Sequence, residues 1–191
     1  MGIKLFGEGA FTGKYTPSNH QSIENADYVA ALEFGAPNPL SNYGAANEKI
    51  ARYILEREFT EQDKIIIGQC SVTECLKKLT SPRFHDQIFT TSETHSTTKG
   101  ETGAFEEISL ISEKIQLENP EWDKNLLIAT HSHLIGRAAL HAARLDLLPI
   151  LPPELPSDFD PNSSQWWCRH NSLWITRELP GSIYLKLQGK M

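Results

Sequence analysis

The sequence predicts an α/β fold, an open and mainly parallel β-sheet flanked by helices. Two observations carry that expectation. Short apolar runs rich in β-branched residues recur along the chain, near-continuously hydrophobic as strands covered on both faces are. Between them lie segments with apolar residues at helical spacing, so strand and helix alternate in units of roughly 30 residues, the rhythm of βα units. Composition permits this: 191 residues, 39% hydrophobic and 22% charged, suffice for one domain with a substantial core.

Residues 1–25, rich in Gly, Thr, Asn and Ser, lack a sustained period and are expected to form an irregular lead-in to a single domain over 26–191. "ADYVAALEF" (26–34) is the first strand, closed by Gly35 and two prolines. "YGAANEKIARYILERE" sets Ala46, Ile50, Tyr53 and Ile54 at helical spacing. "DKIIIGQC" (63–70) is a second parallel strand, with a short helix in "SVTECLKKLT" behind it. "DQIFTTSE" (86–93) is a third strand. Residues 96–120 open with turn-prone polar residues and become a helix carrying Phe105, Ile108, Ile111 and Ile115 on one face. Thr98 with Glu101, or Thr102 with Glu106, offers capping chemistry at its start, and Pro120 ends it. "NLLIAT" (125–130) is a fourth strand and 134–146 its helix. A Pro-rich passage follows, with a short strand around Leu148–Leu151 and a surface loop. "WWCRHNSLWITRE" (166–178) is predicted helical, and "SIYLKL" is ambiguous between strand and helix. The sum is a Rossmann-like arrangement, although the GxGxxG fingerprint of dinucleotide binding is absent.

In open parallel sheets, ligands bind beyond the carboxyl ends of the strands, near the point where strand order reverses. That rule selects 33–39, 69–73, 91–102 and 130–137. The last is the most concentrated, "THSHLIGR". A helix starting near His133 or Leu134 turns unpaired backbone N–H groups and the positive end of its dipole toward the strand end, a ready anion site. His133 and Arg137, four residues apart, project from one face, and Arg137 supplies a guanidinium fork suited to phosphate or carboxylate. Thr130 and Ser132 add hydroxyl contacts or cap the helix. In "SETHSTTKGET" (92–102), Glu93 and Glu101 are candidate acid–base or hydroxyl-binding groups, with Ser96 and Thr98 beside them; the bland alternative is a polar loop with a capped helix. Gly35 and Ser71 are further ligand-binding candidates, where backbone can approach closely. The catalytic candidates are therefore Glu93, Glu101 and His133.

Other classes receive less support. A net charge of −6 with no basic run argues against binding a nucleic-acid backbone. Three cysteines, Cys70, Cys75 and Cys168, form no disulfide framework and no CxxC pair, and fit a reducing compartment. Neither Cys70 nor Ser71 lies in GxSxG; a cysteine nucleophile at Cys70 stays open. No stretch approaches 18 apolar residues, and Phe6 breaks the myristoylation pattern, so the chain is expected to be soluble, unanchored and cytoplasmic. His131 and His133, with His95 or His170, offer metal-dependent hydrolysis as an alternative, although the acidic residue of an HxHxDH motif is replaced by Leu134 and Ile135. A non-catalytic sensor or partner-binding module, with Trp166 and Trp167 exposed, is the third possibility.

The order of these motifs resembles the YdcF/SanA/ElyC-like family, domain of unknown function 218, from about residue 26 to the C-terminus. "ADYVAALEFGAP" resembles its opening strand and glycine turn, and "KIIIGQCSVTE" its second strand and the turn after it. "ETHSTTKGET" is similar to its acid–x–x–Ser–x–Thr–x–x–Glu/Asn loop, with Glu93, Ser96, Thr98 and Glu101 on the polar positions. "LLIATHSHLIGRAALHAARL" resembles its strand, Thr/Ser, His and Arg-Ala helix, with His133 and Arg137 on the His and Arg positions. Glu178 and Gly189 resemble its C-terminal acid and glycine. The resemblance implies a Rossmann-like fold with a small-molecule site at the strand ends. It also implies a nucleotide-type ligand, S-adenosylmethionine among them, while fixing no cofactor and no oligomeric state. The chain departs from the pattern in lacking the glycine run after the first strand and the N-terminal membrane segment of envelope-associated members. The expectation is a small-molecule-binding protein for an anionic or nucleotide-like ligand, of transferase or hydrolase type if it is an enzyme.

Overall fold

The structure, a computed structural model, describes residues 18, 23–35, 43–91 and 104–176, without the side chains of residues 104 and 105. Five strands form one all-parallel sheet: β1 (Tyr28–Ala31), β2 (Ile65–Gly68), β3 (Ile88–Thr90), β4 (Asn125–Ala129) and β5 (Leu148–Ile150). Helices connect them: α1 (Ala45–Glu56), α2 (Cys70–Leu79), α3 (Ala104–Glu118) and α4 (Ile135–Arg144), with a 3₁₀ helix at Pro82–Gln87 before β3. The strand order is β3-β2-β1-β4-β5, an open Rossmann-like α/β arrangement. The chain builds outward from β1 through β2 to β3, then returns to lay β4 on the other side of β1. Strand order therefore reverses between β1 and β4.

The apolar runs explain the register. Tyr28–Ala31 pairs with Ile65–Gly68 on one side and with Leu126–Ala129 on the other, and all of these residues but Ile65 are buried. Both faces of the sheet are covered, by Ile50 and Ile54 of α1, Leu76 of α2, Ile108, Ile111 and Ile115 of α3, and Ala138 and Ala142 of α4. Gly68 is a steric necessity in this packing. A Cβ there would stand 2.1 Å from the carbonyl oxygen of Ala31 on the neighbouring strand. β5, the edge strand of the sheet among the described residues, carries Pro149, which an edge position tolerates.

The strands are shorter than the apolar runs that announce them. Leu32, Phe34 and His131 are buried, yet they lie beyond the ladder in loops that pack back over the sheet, so burial outlasts strand pairing. The helix predicted over 166–178 is divided. A 3₁₀ turn covers Trp166–Cys168, and helix resumes over 171–176. The Cys168 carbonyl accepts the N–H of Asp160 (3.2 Å), and the His170 ring accepts the N–H of Ser172 (3.3 Å), so one bond diverts the first turn and the other caps the second. The loop calls over 92–102, the C-terminal "SIYLKL" and all of the lead-in except Ser18 and residues 23–25 fall outside the described residues. Among those described, no helix is long and apolar enough to cross a membrane.

Candidate functional site

The carboxyl ends of β1 and β4 are tied together just past the ladder. The N–H of Leu32 donates to Ala129 (3.0 Å), and the Thr130 hydroxyl, fully buried, donates to the Leu32 carbonyl (3.1 Å). Beyond this knot, consecutive residues of the β1 exit part company. Glu33 turns toward β2 and α2, and Phe34 turns toward β4. Two polar environments result, one on each side of β1.

On the β4 side the crevice is filled by rings. Phe34 stacks on His131 (centroids 3.7 Å apart, planes within 9°) and also meets Phe159 and Trp174. His131 is fully buried, and its Nδ1 accepts the backbone N–H of His133 (3.2 Å), which puts the proton of the neutral ring on Nε2. Among the described residues that Nε2 has no partner in hydrogen-bonding geometry, although the backbone of Ser157 and Asp158 borders the ring. Burial, reinforced by His133, pushes its pKa down to about 3. His133 sits higher and half-buried. Its Nε2 bonds Asn171 Oδ1 (3.0 Å), its Nδ1 lies 3.3 Å from the Ser132 hydroxyl, and burial lowers its pKa against the pull of Asn171. Arg137, one turn into α4, holds its guanidinium 5.9 Å from the Trp174 ring centroid. Asn171 and Trp174, three residues apart in the 171–176 helix, thus bring His133 and Arg137 under one surface.

On the β2 side the groups are acidic and hydroxylic. Glu33 Oε1 accepts the N–H of Ser71 (2.5 Å) in the first turn of α2, and its own N–H donates to Gln69 Oε1 (2.7 Å). The hydroxyls of Thr73 and Thr90 bond each other (2.8 Å). Thr91, just past β3, meets both the Gly68 carbonyl (3.0 Å) and Glu107 Oε1. Glu107, on α3, is fully buried. Its pKa is raised, chiefly by desolvation; the Thr91 bond works the other way, and the Glu33 charge adds the smallest of the three effects, upward.

The α1 entrance is held by remote partners. Asp160 Oδ2 accepts the N–H of Ala45 (2.8 Å), and Asn47 uses all of its amide: Oδ1 accepts from Phe34 (2.8 Å), and Nδ2 donates to Gly35 (3.1 Å) and Tyr43 (2.9 Å). Gly35 has φ +81°, and a Cβ there would stand 2.8 Å from the Ser163 hydroxyl. The close backbone approach expected at Gly35 is thus made by the chain's own Ser163 and Cys168. α1 and α2 each receive a carboxylate from elsewhere in the chain, which suits the positive ends of their dipoles. The cap of α4 is Leu134, whose side chain can supply none.

Of the predicted site residues, Thr130, Ser132, His133 and Arg137 come together around the β4 exit, and Gly35 lies across the crevice from them. Ser71 is fully buried and belongs to the β2 side. Neither Thr130 nor Ser132 caps α4; Thr130 serves the β1 knot, and the Ser132 N–H donates to the Pro156 carbonyl (2.8 Å). Glu93, His95, Ser96, Thr98 and Glu101 lie outside the described residues. The rings of His131 and His133 are 5.1 Å apart, but among the described residues no group of three His, Cys, Asp or Glu side chains is placed to hold a metal ion. Glu33, Glu107, Asn171 and Asp160 escaped sequence reasoning. A signal existed for Glu107, which interrupts the apolar face of α3 four residues before Ile111.

A cavity of about 620 Å³ lies at the opposite, amino ends of the strands, lined by Tyr53, Arg57 and Lys64 among others. Its polar groups serve one another: the Tyr53 hydroxyl donates to Pro153 (2.6 Å), Arg57 pairs with Glu154 (2.5 Å), and Lys64, its pKa lowered by burial, donates to Glu24 and Ala26 carbonyls. It is a structural junction. No family model, curated protein or solved structure matches this chain.

Proposed function

We propose that the protein binds a small anionic or nucleotide-like ligand at the carboxyl ends of β1 and β4, with the anionic group over the start of α4. The observation that carries this reading is the contrast among helix entrances. α1 and α2 are occupied by Asp160 and Glu33, whereas α4 begins behind an apolar cap with Arg137 in its first turn and His133 just before it. His133, its burial-lowered pKa keeping it mainly neutral at pH 7 and its ring held by Asn171 and Ser132, borders the anion, and Arg137 contributes the charge. Beneath the site the stacked Phe34 and His131, covered by Phe159 and Trp174, make a closed apolar base that keeps water from under the anion. The YdcF/SanA/ElyC-like resemblance implies nucleotide-type ligands, S-adenosylmethionine among them; nucleotides and S-adenosylmethionine are screened first, together with phosphosugars as further anionic ligands.

Thermal-shift measurements against those three classes test the reading. A binding ligand stabilises the wild type, Arg137→Ala loses most of that shift, and Arg137→Lys keeps part of it because charge survives without the planar fork. An unchanged shift in Arg137→Ala refutes the assigned anion site.

A further inference from the structure

The anion site leaves one buried carboxyl unused. Glu107 is fully buried, its Oε1 meets the Thr91 hydroxyl, and its Oε2 has no hydrogen-bond partner among the described residues. The Thr91 hydroxyl has a single proton and lies 3.0 Å from the Gly68 carbonyl, which can only accept. If that proton serves Gly68, the contact with Glu107 requires a second proton, and the carboxyl is its source. The electrostatic surroundings push the same way. Burial raises the Glu107 pKa most, outweighing the Thr91 bond that lowers it, and the Glu33 charge adds a smaller rise. α4 packs on α3 and carries Arg137, His141 and Arg144, none of which offsets the Glu33 charge at Glu107. β2 and β3 meet this end of α3 with the Gly68 carbonyl and the Thr91 hydroxyl.

We infer that Glu33 and Glu107 form a subsite at the carboxyl ends of β1 to β3, Glu33 as the carboxylate and Glu107 as a neutral acid behind it, that accepts hydroxyl groups from an uncharged, polyol-type part of the ligand. Half-buried Glu33 is the member a ligand meets first. With Glu107 uncharged, the pair carries one negative charge, which attracts O–H donors and repels phosphate. An unfilled acceptor at Glu107 Oε2 adds to the demand for donors. The subsite rests on the reading of an anion over α4. Since β2 and β4 flank β1, its distance from that anion is about 10 Å, two strand spacings. The hydroxyls of a sugar phosphate or a nucleoside monophosphate lie only about five or six bonds from the phosphorus, so with the anion over α4 they reach Glu33, the near edge of the subsite at β1.

Two measurements decide it. The first uses the empty protein: denaturation of wild type and Glu107→Gln between about pH 4.5 and 8. A carboxyl protonated when folded and ionised when unfolded makes the native wild type lose stability as pH rises from the ordinary carboxylate range through its raised pKa, and the Gln variant lacks that loss. The wild-type advantage over the variant must therefore shrink as pH rises. Parallel curves overturn the neutral-acid assignment. Should Glu107→Gln fail to fold, infrared spectra of the wild type with ¹³C-labelled glutamate must contain a protonated-carboxyl band at pH 7, and its absence overturns the assignment equally. The second measurement compares thermal shifts from AMP and 2′,3′-dideoxy-AMP. We expect the dideoxy compound to lose about half or more of the shift in wild type, and the two to be equal in Glu33→Gln. Equal shifts in wild type overturn the hydroxyl subsite while leaving the anion site standing. Silence from both compounds overturns the ligand assignment together with the anion site, and the pH comparison then judges the carboxyl pair alone. Stabilisation by Mg²⁺ or Ca²⁺ alone, lost in Glu107→Gln, overturns the inference in favour of a cation site.

Discussion

Acidification should destabilise this protein through His131 well before its carboxylates are titrated. The ring has no exposure to solvent and is pressed flat on Phe34, so protonation in the native state is opposed by lost hydration and by the neighbouring His133. Its folded pKa of about 3 stands against an unfolded value of about 6.5. The folded value is the depressed one, so the unfolded chain binds the extra proton. Stability is intact above about pH 6.5 and drains as pH falls toward 3. At pH 5 only the unfolded chain is protonated at this site, and the loss relative to pH 7 is about 2 kcal/mol. For a chain of this length that corresponds to roughly 4–8 °C in Tm. His141, its pKa lowered to about 4 by burial and then by Arg137 and Arg144, adds a loss of the same sign that levels off nearer pH 4. The informative variant is His131→Phe, which keeps a ring on Phe34 and removes the titration. Urea denaturation at pH 7, 6 and 5 should give a wild-type loss about 2 kcal/mol larger than that of His131→Phe. Parallel losses in the two proteins would refute the argument that this imidazole is held neutral by burial.

Two further substitutions test the frame around the site. Gly68→Ala drives a methyl group into the Ala31 carbonyl of the paired strand, where no side chain can yield; a loss of about 3 kcal/mol or more is expected, and one below about 1 would show that the strands can separate freely. Asn47→Ala strands the Phe34 N–H and the carbonyls of Gly35 and Tyr43; three lost bonds predict about 3 kcal/mol in chemical denaturation, and a near-neutral result would mean that water replaces the amide.

Much of the fold is legible because parallel strands buried on both faces must be apolar throughout. "YVAA", "IIIG" and "NLLIA" could be located on that ground alone, and helical spacing identified the buried faces of α1 and α3. The ends of elements were less legible, since Leu32, Phe34 and His131 are as buried in loops as their neighbours are in strands. The β4 exit could be read because Thr130, Ser132, His133 and Arg137 are close in sequence. The β2 side could not. The Glu33 charge acts on Glu107 only after β1, β3 and α3 are assembled, and Asp160 reaches the α1 entrance across 115 positions. His131 drew notice as a metal ligand because its stacking partner, Phe34, belongs to a distant stretch of chain. The division at 166–178 was hidden for the same reason, as the Cys168 carbonyl is taken by Asp160, a residue outside that segment.

The carboxylates of Asp160 and Glu33 do more than neutralise two helix dipoles. By standing where a ligand's anion could stand, they keep the α1 and α2 entrances in their final geometry in the empty protein. The ordering of those first helical turns is completed in folding and subtracts nothing from affinity. A rim shaped by internal stand-ins can therefore recognise its ligand by fit, with rearrangement confined to the α4 entrance and whatever lies beside it.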